Sequence, residues 1–198
     1  RTQYFPNASG ACGTSGQSWN CICTETSQVP VSLSVQMNGI TYGNDIFVAV
    51  GDDGKTYNST DNGANWNYVY SGVDRDLIGV AYGNNLFVAV GQDGKILTST
   101  DNGNTWTKLT TTNPLNGGPD LNGISFGNNT FVAVGIKQNN ANYGAIGTST
   151  DGTTWSLRTS LISNDINGVT YGNSTFVAVG DSGKIITSDY GITWNNNI

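Results

Sequence analysis

Carboxylates are the chemically versatile side chains of this sequence: Asp and Glu number 14 against 8 Lys and Arg, and there is no His. Three of them are regularly placed. Asp76, Asp120 and Asp165, with Gln36 at the equivalent place, each stand just before a segment that recurs along the chain. Gathered around a common axis, three carboxylates and an amide would bind a hard cation through oxygen, and calcium is the ion such a set would take. The competing reading is that each side chain satisfies backbone groups where a strand begins. Two of these carboxylates facing each other across an opening would also suit glycoside hydrolysis. Nothing beside them in the sequence would raise a pKa, so a non-catalytic protein is expected. Without His there is no Cys–His arrangement for nucleophilic catalysis or a zinc site. No Gly-rich stretch joins a strand to a helix to cradle phosphate. No cofactor is expected apart from that cation.

A second group of polar residues suits ligand binding rather than catalysis. Lys137, Asn139, Asn140, Asn142 and Tyr143 fall within 136–144, and Asn113 and Asn116 within 110–120. A tyrosine ring supplies a stacking surface, and amides supply paired donors and acceptors. The alternative is a tolerated surface insertion that binds nothing.

A repeat positions both groups. The stretch 77–106, LIGVAYGNNLFVAVGQDGKILTSTDNGNTW, recurs in copies beginning at Met37, Leu77, Leu121 and Ile166. The opening glycine and the central phenylalanine stay eight residues apart in every copy: Gly39 to Phe47, Gly79 to Phe87, Gly123 to Phe131 and Gly168 to Phe176. A period of forty-odd residues built of short strands points to a radial or solenoid array. Turns at Asn84-Asn85, Gly91 to Gly94 and Asp101 to Gly103 cut the unit into four strands. The segment FVAVG is apolar on both faces, as expected for an inner strand covered by neighbouring sheets. The expected fold is an all-β propeller of four-stranded antiparallel blades, at about 37–70, 77–111, 121–160 and 166–198.

Each copy ends in a similar close: Ser59 to Trp66 reads STDNGANW, Ser99 to Trp106 STDNGNTW, Ser149 to Trp155 STDGTTW, and Ser188 to Trp194 SDYGITW. These closes resemble the Asp-box, or bacterial neuraminidase repeat, of sialidase-like β-propellers. The resemblance implies a hairpin between the third and fourth strands of each blade. In it Asp61, Asp101, Asp151 and Asp189 would tie the turn, while Trp66, Trp106, Trp155 and Trp194 pack beneath, all structural rather than catalytic. Sialidase chemistry in that family uses an arginine triad and a Tyr–Glu pair. Here the only Arg residues are Arg1, Arg75 and Arg158 and the only Glu is Glu25, so that machinery cannot be assembled.

Strand order sends the second-to-third turns and the blade-to-blade connections to one face, where length varies. From the strand-ending glycine to the box aspartate there are ten residues for Gly51 to Asp61 and Gly91 to Asp101, nine for Gly180 to Asp189, and sixteen for Gly135 to Asp151. Likewise Trp106 to Gly123 spans seventeen residues, against thirteen from Trp66 to Gly79. Both insertions belong to the third blade or the connection leading into it, so they should meet on one rim. Loops on a rigid scaffold are where binding resides.

The first thirty residues read as a partial blade or cap, leaving 31–198 for the propeller repeats. Gly13 to Trp19 matches the close of the third repeat with Ser15 in place of the aspartate. Such a hairpin sets Cys12 opposite Cys21 for a disulfide, with Cys23 left over; three reduced cysteines are the alternative. A bridge implies an oxidising compartment, hence an extracellular or cell-surface protein, with the periplasm as the other setting. The chain starts at Arg1 and no run is long enough for a membrane-spanning helix, so a processed product without membrane insertion is expected. The net charge of −6 is spread along the chain, which argues against nucleic acid or an anionic membrane surface. The function expected is a non-catalytic binding or assembly module of the adhesion type, with a protein partner or a second copy at the variable loop face. A lectin binding glycan is the first alternative, a structural subunit of a surface filament or pilus the second, and a glycoside hydrolase the last. A lectin should repeat its aromatics in every blade, whereas Tyr143 occurs in one.

Overall fold

The structure is a computed structural model that describes residues 35–110, 113–136 and 143–197. The chain divides into Arg1–Leu33 and Ser34–Ile198. The partial blade expected over residues 1–30, with Cys12, Cys21 and Cys23, lies outside the described residues.

Each repeat folds into one sheet because its turn residues are suited to reverse the chain. The first blade is β1 (Met37–Gly43), β2 (Ile46–Gly51), β3 (Lys55–Ser59) and β4 (Asn67–Tyr70). The second is β5 (Leu77–Gly83), β6 (Leu86–Gly91), β7 (Ile96–Ser99) and β8 (Thr107–Lys108). The third is β9 (Leu121–Gly127), β10 (Thr130–Gly135), β11 (Ala145–Ser149) and β12 (Ser156–Thr159). The fourth is β13 (Ile166–Gly172), β14 (Thr175–Gly180), β15 (Lys184–Ser188) and β16 (Asn195–Asn196). Within every sheet the strands lie in sequence order, and each neighbouring pair is antiparallel. This is the all-β propeller architecture, with four complete blades. The first hairpin turn of every blade has two consecutive left-handed residues, such as Asn84 at φ 50° and Asn85 at φ 60°. That geometry matches the right-handed twist of the flanking strands, and asparagine tolerates it better than most residues.

A second recurrent device closes the opposite end of each blade. The N–H of the residue following the strand-ending glycine donates to the carbonyl of the residue preceding the first strand. The pairs are Asp52 to Gln36, Gln92 to Asp76 and Asp181 to Asp165, all at 3.0 Å, and Ile136 to Asp120 at 2.9 Å. The backbones come so close that a Cβ on Gly91 would sit 2.0 Å from the Asp76 carbonyl oxygen. Only glycine fits there.

The hydrophobic core lies between blades rather than within them. One cluster joins Val48 and Val50 of the first blade to Val80, Phe87 and Leu97 of the second. Another joins Val88 and Val90 to Leu121, Phe131 and Trp155 of the third. The last joins Val132 and Val134 to Phe176, Ile186 and Trp194 of the fourth. First strands follow the same sequence, with β1 against β5, β5 against β9 and β9 against β13, and no comparable contact joins β13 to β1.

Candidate functional site

The two insertions expected on one rim do meet beside the third blade. Pro114, Leu115 and Pro119 of the connection into that blade, Ile136 and Tyr143 of the β10–β11 loop, and Leu157 and Arg158 of β12 line one groove of about 220 Å³. The floor is apolar because Leu115 is fully buried, held by a loop knotted through Asn113. Asn113 donates from its amide nitrogen to the Gly94 carbonyl at 3.0 Å and accepts the Leu115 N–H at 2.9 Å. Expected as a ligand-facing amide, Asn113 is instead buried with both ends of its amide engaged, and it shapes the groove without lining it. Asn116 accepts from Lys95 at 3.3 Å and donates to the Thr110 carbonyl at 3.1 Å, so it too braces the connection. Tyr143 is 43% exposed at the rim. Lys137, Asn139, Asn140 and Asn142 lie outside the described residues.

Sequence reasoning missed the β12 contribution. Among the described residues this strand pairs only with β11, and its Leu157 is 56% exposed. The Nε of Arg158 donates to the Thr148 hydroxyl at 2.8 Å, and among the described residues no carboxylate forms an ion pair with it. A second hollow, of about 320 Å³, flanks the same strand on the side of Leu161 and Ile192. An exposed leucine beside an arginine in a short edge strand was the available signal. β12 therefore offers, among the described residues, an edge with an apolar groove on one side, a more polar hollow on the other and a positive charge between them.

Of the regularly placed carboxylates, Asp76 and Asp120 do a different job from the one that would gather them. One Asp76 oxygen accepts the backbone N–H of Asp53 at 3.0 Å and the other accepts from the Gln92 amide at 2.8 Å. Asp120 accepts the N–H of Asp93 at 2.8 Å. Each thus reaches into the tight turn of the preceding blade. The bonds from Asp53 and Asp93 are to backbone, as in the competing reading, but across a blade boundary rather than local, while the bond from Gln92 is to a side chain of the same blade. Gln36 donates to Asn38 at 3.2 Å. Among the described residues no three of His, Cys, Asp and Glu come close enough to share a metal ion. Nearby, Arg75 and Asp93 pair at 2.6 Å; the Arg75 guanidinium holds the Asp93 carboxyl below the usual carboxylate range.

In the third-to-fourth-strand hairpins, a serine and an aspartate build the turn together. Ser59, Ser99 and Ser149 donate to Asp61, Asp101 and Asp151, and each serine oxygen accepts the N–H of the turn glycine. Asp61 also accepts the N–H and side-chain amide of Asn65; these bonds, with that from Ser59, hold its carboxyl at about 2. Burial would raise the pKa of Asp151, but the N–H groups of Thr154 and Thr153 and the Ser149 hydroxyl outweigh it and hold the carboxyl far below the usual range. For Asp101, burial is likewise outweighed, by the Thr105 hydroxyl and N–H and by Ser99. The indole N–H of Trp66, Trp155 and Trp194 donates to the carbonyl of the turn glycine, at 3.1, 3.0 and 3.0 Å. Trp106 departs from this pattern, with a buried indole nitrogen that has no acceptor among the described residues.

The fourth hairpin corrects the expected register. Ser188 accepts the Gly191 N–H as its counterparts do. Asn84 reaches the Thr150 carbonyl, and Asn128 reaches the Asp189 carbonyl in the same way. Asp189 therefore stands where Thr150 does, and Tyr190 occupies the place of the aspartate. Among the described residues the Asp189 carboxylate makes none of the turn's hydrogen bonds.

Four sequential antiparallel blades with cores between them define a β-propeller protein. The chain belongs to the DUF6242 β-propeller domain family, whose model matches residues 6–120. Among curated proteins none matches the sequence. Solved structures share the fold at low identity. YCF48 from Cyanidioschyzon merolae is 20% identical, with a TM-score of 0.59 over 85% of this chain and 57% of that one. A YCF48 bound to D1 peptide is 18% identical, with a TM-score of 0.57 over 81% of this chain and 53% of that one. A chain of a nidogen/laminin complex is 14% identical, with a TM-score of 0.58 over 81% of this chain and 64% of that one. The chain thus spans little more than half the length of the YCF48 chains.

Proposed function

We propose that this protein is a non-catalytic protein-binding module, and that it receives an extended segment of its partner along β12. The observation that carries this reading is the groove between Tyr143, Leu115 and Leu157, beside an edge strand with Arg158 unpaired among the described carboxylates. A segment added to an exposed edge gains main-chain hydrogen bonds, while flanking pockets select its alternate side chains. The groove takes an apolar side chain, and an acidic residue one place removed meets Arg158. The structural likeness to propellers described in complexes with a peptide and with laminin is consistent with this use. We further place the protein in an extracellular or cell-surface setting and assign its turn motif to the Asp-box type, on the serine–aspartate–tryptophan pattern of its hairpins.

The test is panning of a random peptide library on the full chain, followed by titration of the selected peptides against Tyr143→Ala, Leu157→Ala and Arg158→Ala variants. Selected peptides should share an apolar and an acidic position, and each variant should weaken them at least about tenfold, the loss of one anchoring contact. Peptides that bind all three variants as well as the wild type would sink the reading. Glycans retained on an array by the wild type and lost with Tyr143→Ala would redirect it to a lectin.

A further inference from the structure

The inner blades show what a covered face looks like, and among the described residues the two end blades lack the cover. On the second strands of the first three blades, Val48 and Val50, Val88 and Val90, and Val132 and Val134 are completely buried beneath the blade that follows. Their counterparts in the fourth blade are not: Val177 is half-buried and Val179 is 46% exposed. The groups that do the covering are equally constant. Val80 and Tyr82, Ile124 and Phe126, and Val169 and Tyr171 pack onto the blade before them. The equivalent Ile40 and Tyr42 of the first blade are 61% and 53% exposed. A Cβ on Gly83 would collide with the Phe126 ring at 2.2 Å, yet nothing lies within 4 Å of one on Gly172. Trp66 is 39% exposed, against 4% for Trp155 and 1% for Trp194.

Polar groups show the same asymmetry. Asn38 and Asn122 donate to the Leu77 and Ile166 carbonyls of the following blade, at 3.1 and 3.0 Å. Asn38 also donates to Asp52 of its own blade at 3.0 Å; Asn167, the counterpart in the fourth blade, keeps only that own-blade bond, to Asp181, and among the described residues has no carbonyl of a following blade to reach.

We propose that these end faces are the two halves of one further blade-to-blade interface, and that a second copy of this chain supplies the missing half, head to tail. The assignment of the occupant rests on continuity with the three interfaces already formed. Each face carries the residue types of an internal partner at the same repeat positions, so the surface that fits either one is the other. Met37, Ile40 and Tyr42 of one copy settle on Val177 and Val179 of the next, and Asn167 gains the Met37 carbonyl that replaces Leu77 or Ile166. Such a heterologous contact closes into a ring when the rotation permits and grows otherwise. It uses none of the residues of the β12 groove, so the two readings stand or fall separately.

The test is the mass of the full chain in solution, by light scattering on a size-exclusion column over a range of concentrations. Val179→Asp and Ile40→Asp each place a charge on one end face, at side chains already exposed, so circular dichroism and the melting temperature should match the wild type under conditions where that is monomeric. The wild type should run at twice the chain mass or more, and each variant at the chain mass. Mixing the variants in equal amounts should restore a dimer, because one supplies an intact first-blade face and the other an intact fourth-blade face. Tyr143→Ala should keep the wild-type mass. A wild type that stays monomeric throughout, including one whose end faces are shielded by its own chain, overturns the proposal, as do charged variants that keep the wild-type mass.

Discussion

At the scale of single residues, the aspartates of the hairpins are buttresses whose chemistry is their negative charge. Asp61, Asp101 and Asp151 have depressed pKa values in the folded protein, so the unfolded chain binds protons first as pH falls. Stability they contribute is complete above the ordinary carboxylate value of about 3.8 and is lost as pH drops through the folded values, about 2 for Asp61. Urea midpoints should accordingly fall between about pH 4 and pH 2, and Asp61→Asn should flatten that slope. Asp151→Ala leaves the exposed N–H groups of Thr153 and Thr154 to water and should cost about 0.5–1.5 kcal/mol by urea titration at neutral pH. Asp189→Ala should stay within about 0.5 kcal/mol, since its carboxylate takes no part in the turn. The sequence held the information for this distinction. From Gly180 to Tyr190 is ten residues, the spacing of Gly51 to Asp61, whereas Asp189 falls at nine. The identity of an aspartate outweighed the count, and the hydrogen bonds follow the count.

At the scale of elements, strands and turns were legible because their signals are local. The run FVAVG, apolar on both faces, the Asn-led αL turns and the serine-led closes each depend on a few neighbouring residues. What the carboxylates before each first strand do was not legible, since Asp76 and Asp120 act on the backbone of another blade's turn. Spacing gives a residue's place in its own repeat and not the distance to its neighbour's. Because their oxygens are engaged by N–H donors, a chelator should leave the melting temperature unchanged, and a downward shift would revive the calcium reading. The groove was half legible: loop lengths predicted its location, but its floor came from Leu115 and its wall from β12, whereas the amides drew attention in the sequence. Packing between blades sets a further expectation. Leu121→Ala, in a cluster shared by two blades, should destabilise by about 2–5 kcal/mol. Val179→Ala should cost less than about 1 kcal/mol in the monomer, because that side chain is already wet.

At the scale of the whole molecule, the placement of the hydrophobic clusters decides how stability is distributed. Each cluster straddles a boundary, so a blade on its own has half a core on either side and no blade is an independent folding unit. The array then behaves as a one-dimensional chain with nearest-neighbour coupling. Among the described residues the two middle blades have neighbours on both sides, while the first and fourth have one each and should fray before global unfolding. Amide hydrogen exchange should rank β6 and β10 as the slowest strands and β1 and β14 as faster. Any addition to such an array brings its own boundary, so gain or loss of length should come in whole blades, and a cut inside a blade should unravel the neighbour that leaned on it.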